Sequence, residues 1–225
     1  MPDHTHDAIA IDGPAASGKS TVARELATRL GLVMVNSGDM YRAVTLAVVR
    51  RGMDPEDRAS IEKLLAGLDV RCTVEADRSV ILLEGVEPGE ALRSDEVNAA
   101  VSQVSAVPGV RELLVARQRA LLEVGDLVME GRDIGSVVFP DTPYKIYIGA
   151  SEEVRRRRRE AEGQVDEVAS RDRRDSARKT SPLVIPEGAA VIDSSEMDIE
   201  EVVQAALEVL RERGWFERHN KPATS

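Results

Sequence analysis

Apolar runs of two kinds alternate along this chain. Ala8 to Ile11 is a continuous apolar run that ends at Asp12, and beyond a glycine-framed stretch Val22, Leu26 and Leu30 recur four apart until Gly31. That spacing predicts a short buried strand, a loop, and an amphipathic helix starting near Lys19. Leu32 to Val35 predicts a second buried strand, followed by a helix carrying Ala43, Val44, Ala47 and Val48 that stops at Gly52 and Pro55. After a short helix at Ile61, Leu64 and Leu65 the rhythm changes. Leu68 to Val74 and Val80 to Leu83 predict strands joined by the polar turn Glu75 to Ser79, and Gly85, Pro88 and Gly89 punctuate a third short piece, so a small antiparallel insertion is expected.

The alternation then resumes. Ser94 is placed to cap a helix with the buried stripe Val97, Ala100, Val101 and Val104, and Pro108 to open another carrying Val110, Leu113, Leu114, Leu121 and Leu122. Ser102 and Arg111 lie off these stripes, so periodicity alone predicts that both face solvent. Further strands are expected at Leu127 to Met129, Tyr144 to Ile148 and Ala189 to Ile192, making five in the alternating pattern. Ser151 should cap a helix holding five consecutive arginines, Arg155 to Arg159, with a second helix from Val165 that ends at Ser181-Pro182. Asp198 and Glu201 form a capping-box pair ahead of the stripe Ile199, Val202, Val203, Ala206, Leu207 and Leu210; Gly214 stops that helix, and the tail after Phe216 is expected to fray.

Strands alternating with helices define an α/β chain, and 225 residues suit one core with inserted lobes. The expected division is a core at about 7–60, 108–150 and 185–215, an insertion at about 61–107, a lid at about 151–180 and a tail at 216–225. A formal net charge of -10 argues against a general nucleic-acid binder, although the arginine-rich region from Arg155 to Arg178 is basic. One cysteine, Cys72, excludes an intrachain disulfide, and no spacing suits zinc. No apolar run approaches the roughly 18 to 20 residues a membrane span requires. The expectation is a cytoplasmic monomer with no membrane and no nucleic-acid partner.

Gly13-Pro14-Ala15-Ala16-Ser17-Gly18-Lys19-Ser20, with Thr21 after it, satisfies G-x-x-x-x-G-K-[ST] between a predicted strand and a predicted helix. Backbone N–H groups and the positive end of a helix dipole converge there, which suits the phosphates of ATP. Lys19 would reach the β and γ phosphates, and the Ser20 hydroxyl would be a ligand of Mg2+. Tyr41 and Arg42 follow the second strand and should face the same loop. Arg132 and Asp133, set between Gly131 and Gly135 at a strand tip, are expected at the same edge. Arg171, Arg174, Asp175 and Arg178 share one helix face, and three guanidinium groups with a carboxylate suit a ligand bearing phosphates and hydroxyls.

A phosphate loop alone leaves kinases, GTPase switches, ATP-driven motors and regulators open. The chain has no Asn-Lys-x-Asp guanine motif and no long apolar strand ending in an Asp-Glu pair. Arginines spread over three separated segments fit phosphoryl transfer between two bound nucleotides, where two polyanions must be brought together and neutralised. The alternatives are another small-molecule kinase, of uridylate or shikimate type, and a nucleic-acid-binding ATPase that grips with the arginine run.

Four motifs in order add a family resemblance. The phosphate loop, Ser37-Gly38-x-Met40-Tyr41-Arg42, Gly131-Arg132-Asp133-Ile134-Gly135-x-Val137-Val138-Phe139-Pro140, and Arg171-Asp172-x-x-Asp175-x-x-Arg178 with Ser181-Pro182-Leu183 resemble bacterial cytidylate kinases from about Ile9 to Ser195. The resemblance implies transfer of the ATP γ-phosphoryl group to CMP or dCMP with magnesium. It also implies a P-loop kinase fold with a five-stranded parallel core sheet flanked by helices, an enlarged acceptor lobe and a helical lid. By that pattern Lys19, Arg42 and Arg132 are catalytic. Ser37 belongs to the acceptor site. Ser102, Arg111 and Asp133 would read the cytosine edge, against the solvent-facing expectation for the first two. Arg42, Arg132 and Arg178 would hold phosphates, and Arg171 and Asp175 sugar hydroxyls. Asn36 stands where the family usually has Asp, Asp39 where it has a small residue, and the lid segment Glu160 to Ala169 looks short.

Overall fold

The structure is a computed structural model and describes residues 6–75, 78–161 and 183–219. Strand β1 (Ala8–Asp12) lies between β5 (Leu127–Gly131) and β6 (Lys145–Gly149), parallel to both, with β2 (Val33–Asn36) parallel outside β5 and β7 (Ala190–Asp193) parallel outside β6. Both faces of this sheet are covered, as parallel sheets require. Along β1 the side chains divide accordingly: Ile9 and Ile11 pack under helices α1 (Lys19–Leu30) and α7 (Ile199–Glu212) with Leu26, Val203 and Leu210, while Ala8 and Ala10 face Val35, Met129 and Leu121.

The sheet has seven strands, not five. The expected hairpin, β3 (Val70–Glu75) and β4 (Arg78–Leu83), is antiparallel, but it joins the main sheet beside β2 and gives the order β3-β4-β2-β5-β1-β6-β7. The five-stranded count treated the insertion as separate. The outer edge of β2 would otherwise present unpaired backbone groups, and the hairpin covers it, with the Ser79 hydroxyl donating to Met34 O at 2.9 Å. A third core cluster fills the space between this hairpin and helices α2 (Ser37–Arg50), α3 (Arg58–Leu65), α4 (Asp95–Val104) and α5 (Pro108–Ala120), with Val44, Val48, Ile61, Val70, Leu83, Val97 and Leu114 buried together.

Local signals set the helix ends. Ser94 Oγ accepts from Val97 N at 3.4 Å, Pro108 occupies the first turn of α5, and Asp198 and Glu201 form the reciprocal box at 2.9 and 2.8 Å. Helix α6 (Glu152–Ala161) follows Ser151, whose hydroxyl accepts from Val154 N. The chain beyond Phe216 does not fray at once: α8 (Trp215–His219) is held because the Trp215 ring stacks on His219 and meets Tyr144 edge-on. The predicted second lid helix lies outside the described residues.

Candidate active site

Three segments that leave the carboxyl ends of the parallel strands β1, β2 and β5 meet in one cavity. The first is the phosphate loop, where β1 gives way to Gly13. A Cβ there would stand 2.2 Å from Ile148 O, so only glycine lets the chain cross so close to β6. Gly18 caps α1 with φ 87°, the left-handed conformation glycine adopts without strain. Lys19 is buried, its ammonium donating to Pro14 O at 3.1 Å and lying 3.8 Å from Glu130 Oε2.

Glu130 was not singled out by the sequence patterns. Its carboxylate, buried at the end of β5, accepts from the Ser20 hydroxyl at 2.8 Å. A lone acid closing an apolar strand at the carboxyl edge is a usable signal, distinct from an Asp-Glu pair. Ser20 and Glu130 put two hard oxygen ligands beside Lys19, a donor set that suits a divalent cation taking its remaining ligands from phosphates and water. Among the described residues no cluster of three acidic, histidine or cysteine side chains offers a cation cage.

The other end of the cavity is built from α2, α4, α5 and the segment after β5. Arg111 and Asp133 form a buried ion pair at its floor, with Arg111 also donating to Ser105 O at 3.2 Å and standing 5.2 Å over the Tyr41 ring. Ser102 and Arg111 are only 9% and 4% exposed and line the cavity, which corrects the solvent-facing expectation from helix periodicity. Periodicity failed there because the side of α4 and α5 off the apolar stripe faces a polar cavity rather than bulk water. Arg42 donates to Leu92 O and Asn98 Oδ1 at 2.9 and 2.8 Å, and Arg132 to Gly13 O at 3.0 Å. Asp39 pairs with Arg93 at 2.5 Å on the cavity wall; burial pushes its carboxyl upward while Arg93 opposes the shift. Asn36 also lines the cavity, at the cap of α2.

The arginine run divides by face. Arg156 and Arg157 pair with Glu160 and Glu153 in solvent, ion pairs worth about 0–1 kcal/mol. Arg155 and Arg158 turn inward, donating to Ala15 O at 3.4 Å and to Ser194 Oγ at 3.1 Å, and Arg159 lines the cavity. The Ser194 hydroxyl in turn lies 3.0 Å from Ser17 O, so α6 and the end of β7 brace the outer side of the phosphate loop.

Of the expected site residues, Ala15, Ala16, Gly18, Lys19, Ser20, Thr21, Ser37, Arg42, Ser102, Arg111, Arg132 and Asp133 line this one cavity, while Gly13, Pro14 and Ser17 shape the loop behind it. Arg171, Asp175 and Arg178 lie outside the described residues. No helix among the described residues is long and apolar enough to cross a membrane.

A strand, glycine loop and helix with an invading lysine, closed by arginines from neighbouring strand ends, define a P-loop phosphotransferase. A family model described as cytidylate kinase matches residues 9–212. The chain is 44% identical over 221 residues to the cytidylate kinase of Pseudomonas aeruginosa strain LESB58, covering 92% of this chain and 96% of that one. It is 43% identical over 214 residues to that of Caldanaerobacter subterraneus subsp. tengcongensis, covering 90% and 94%, and 45% identical over 217 residues to that of Rhodococcus opacus strain B4, covering 91% and 95%. The chain belongs to the cytidylate kinase family.

Proposed function

We propose that this protein transfers the γ-phosphoryl group of ATP to CMP or dCMP, giving CDP or dCDP and ADP, with Mg2+ accompanying the ATP. The observation that carries this reading is the placement of the buried Arg111–Asp133 pair on the same cavity as Lys19 and the phosphate loop. Asp133 can accept a hydrogen bond from the exocyclic amine of cytosine and Arg111 can donate to its ring acceptors. Uracil would set a carbonyl oxygen against the carboxylate, leaving buried polar groups unpaired.

The rest of the cavity is arranged for transfer. Loop amides and Lys19 hold the donor phosphates, Arg42 and Arg132 draw in the acceptor phosphate, and their charge offsets both the repulsion of two polyanions and the charge of the transition state. Ser20 and Glu130 would hold the metal, which when bound supplies further neutralisation of the β and γ phosphates. Ser37 lies at the acceptor wall. Arg171, Asp175 and Arg178 are assigned by resemblance to sugar and phosphate contacts on a lid at about 151–180, beside a core at about 7–60, 108–150 and 185–215 and an acceptor insertion at about 61–107. The protein is proposed to act as a cytoplasmic monomer without nucleic-acid or membrane partners.

A nucleotide panel tests the reading. ADP release should depend on CMP or dCMP and be far weaker with UMP. Release stimulated by polynucleotide, or independent of any pyrimidine monophosphate, overturns it.

A further inference from the structure

Residues Ile134–Val138 form a single π-helical turn directly after the Arg132-Asp133 pair, with Phe139 N bonding back to Ile134 O at 2.7 Å. A helical turn leaves its first N–H groups without partners, and the side chain at the capping position ordinarily accepts from one of them. Here Asp133 holds that position and makes no such bond, because its carboxylate is committed to Arg111. The vacant duty falls to Asp12, on the neighbouring strand. Its two carboxylate oxygens accept from Ile134 N and Gly135 N, both at 2.7 Å, and it is completely buried.

We infer that Asp12 is a positioning residue for base recognition: by capping the turn from β1, it spares the Asp133 carboxylate that duty, so Asp133 stays paired with Arg111 on the cavity where the acceptor base would be read, fixed relative to the phosphate loop. Two further observations support this assignment. Asp12 immediately precedes Gly13, whose carbonyl accepts from Arg132, so the two loops are joined on both sides. The turn is closely packed at both glycines: a Cβ at Gly131 would collide with Ser37 Oγ and the Ile134 side chain, and one at Gly135 would press on Asp12 Oδ2 at 3.1 Å. The turn therefore sits in one packed position. The charged groups facing Asp12 are Asp133 and Lys19, and the stem of Lys145 packs nearby on β6 while its ammonium is taken up by Pro140 O and Glu187 O.

Burial, opposed by the two backbone bonds, raises the Asp12 carboxyl to about 6. A neutral carboxyl accepts more weakly than a carboxylate, so the clasp should loosen as pH falls through that value. The ratio of kcat/KM for CMP to that for UMP isolates the effect, because the phosphates of both substrates titrate together near pH 6 and cancel.

The inference rests on the proposed cytidylate kinase activity, and two kinds of measurement separate them. In steady state, the CMP to UMP ratio of the wild type should fall severalfold between pH 7.5 and pH 5.5. At pH 7.5, Asp12→Asn and Asp12→Ala should lower it tenfold or more while the KM for ATP stays within twofold. In an Asp133→Ala background, adding Asp12→Ala should lower the ratio no further, because Asp12 acts through Asp133. Equal losses with CMP and UMP, additive losses in the double variant, or a ratio flat with pH in the wild type overturns the inference. Amide hydrogen exchange at Ile134 and Gly135 needs no turnover. Faster exchange in Asp12→Asn than in wild type supports the clasp, and unchanged protection removes it. A wild type that turns over no CMP but shows this exchange difference defeats the kinase reading and leaves the clasp standing.

Discussion

The Ser20 hydroxyl donates to Glu130 Oε1 at 2.8 Å, joining the first residues of α1 to the tip of β5 across 110 positions of sequence. Lys19 stands 3.8 Å from the other oxygen of the same carboxylate. One acid thus orients both the Ser20 hydroxyl and the Lys19 ammonium, the groups proposed to meet the metal and the phosphates. Glu130→Gln keeps the shape and one acceptor but removes the charge, so turnover with CMP should fall by about a hundredfold or more, the order seen when one preorganised polar group is lost. Chelating divalent cations with EDTA should likewise abolish turnover of the wild type. ADP release under saturating nucleotides checks both, and a Glu130→Gln protein with wild-type turnover removes Glu130 from the site.

Asp133 and Arg111 neutralise each other at a place that admits almost no water. Asp133→Ala leaves the guanidinium buried with Ser105 O and the Tyr41 face for company. Breaking such a pair typically costs about 3–5 kcal/mol, which a denaturant titration reads directly. The catalytic consequence is selective. Preference for CMP over UMP should disappear while ATP binding survives, because in the proposed reading the donor phosphates are held by Lys19 and the loop amides rather than by this pair. Undiminished discrimination in the variant would remove Asp133 from base recognition.

Much of this architecture was legible because local rules and global packing agree. Asp198 with Glu201, Pro108, Gly18 and Gly31 all act where their chemistry says they should, and the β1 run Ala8 to Ile11 is apolar throughout because both faces of β1 are covered. What escaped sequence reading depends on long-range partners. Arg111 looks like a solvated helix residue until β5 brings Asp133 against it, 22 positions away. The edge of β2 that draws in the hairpin is likewise invisible without the sheet order. Arg155 and Arg158, three apart, share the inward face of α6, but in a run of five identical residues nothing in the sequence distinguishes them from Arg156, Arg157 and Arg159.

Asp39 occupies a position where a small residue is usual in the resembled family, and it holds Arg93 on the acceptor wall of the cavity. In the proposed reading a carboxylate there would repel the incoming CMP phosphate and occupy an arginine that could otherwise meet it. Asp39→Ala should therefore lower the KM for CMP by about threefold to tenfold, equivalent to roughly 0.7–1.4 kcal/mol, with kcat little changed. Arg93→Ala should move KM the other way. If Asp39→Ala raises the KM for CMP, the carboxylate serves the acceptor site rather than restraining it.

Ser194 is the point where three segments are tied together. Its hydroxyl accepts from Arg158 Nη1 at 3.1 Å and lies 3.0 Å from both Ser17 O and Gly149 O, while Arg158 Nη2 donates to Ser194 O at 2.8 Å. Gly149 O keeps a second partner, Ser194 N at 2.8 Å, so replacing the hydroxyl leaves that carbonyl satisfied. The loss falls instead on the phosphate loop and on the hold of α6 over it. Ser194→Ala should cost about 1 kcal/mol of stability, the usual net value of a buried hydrogen bond. The kinetic effect should be asymmetric, with the KM for ATP rising severalfold and the KM for CMP within twofold of wild type, since the brace touches the loop from the side away from Arg111 and Asp133. Ser194→Thr, which keeps a hydroxyl, should recover most of the ATP affinity if the pocket takes the extra methyl group. Equal increases in both KM values, or no change in either, would show that this node holds the fold together without tuning the donor site.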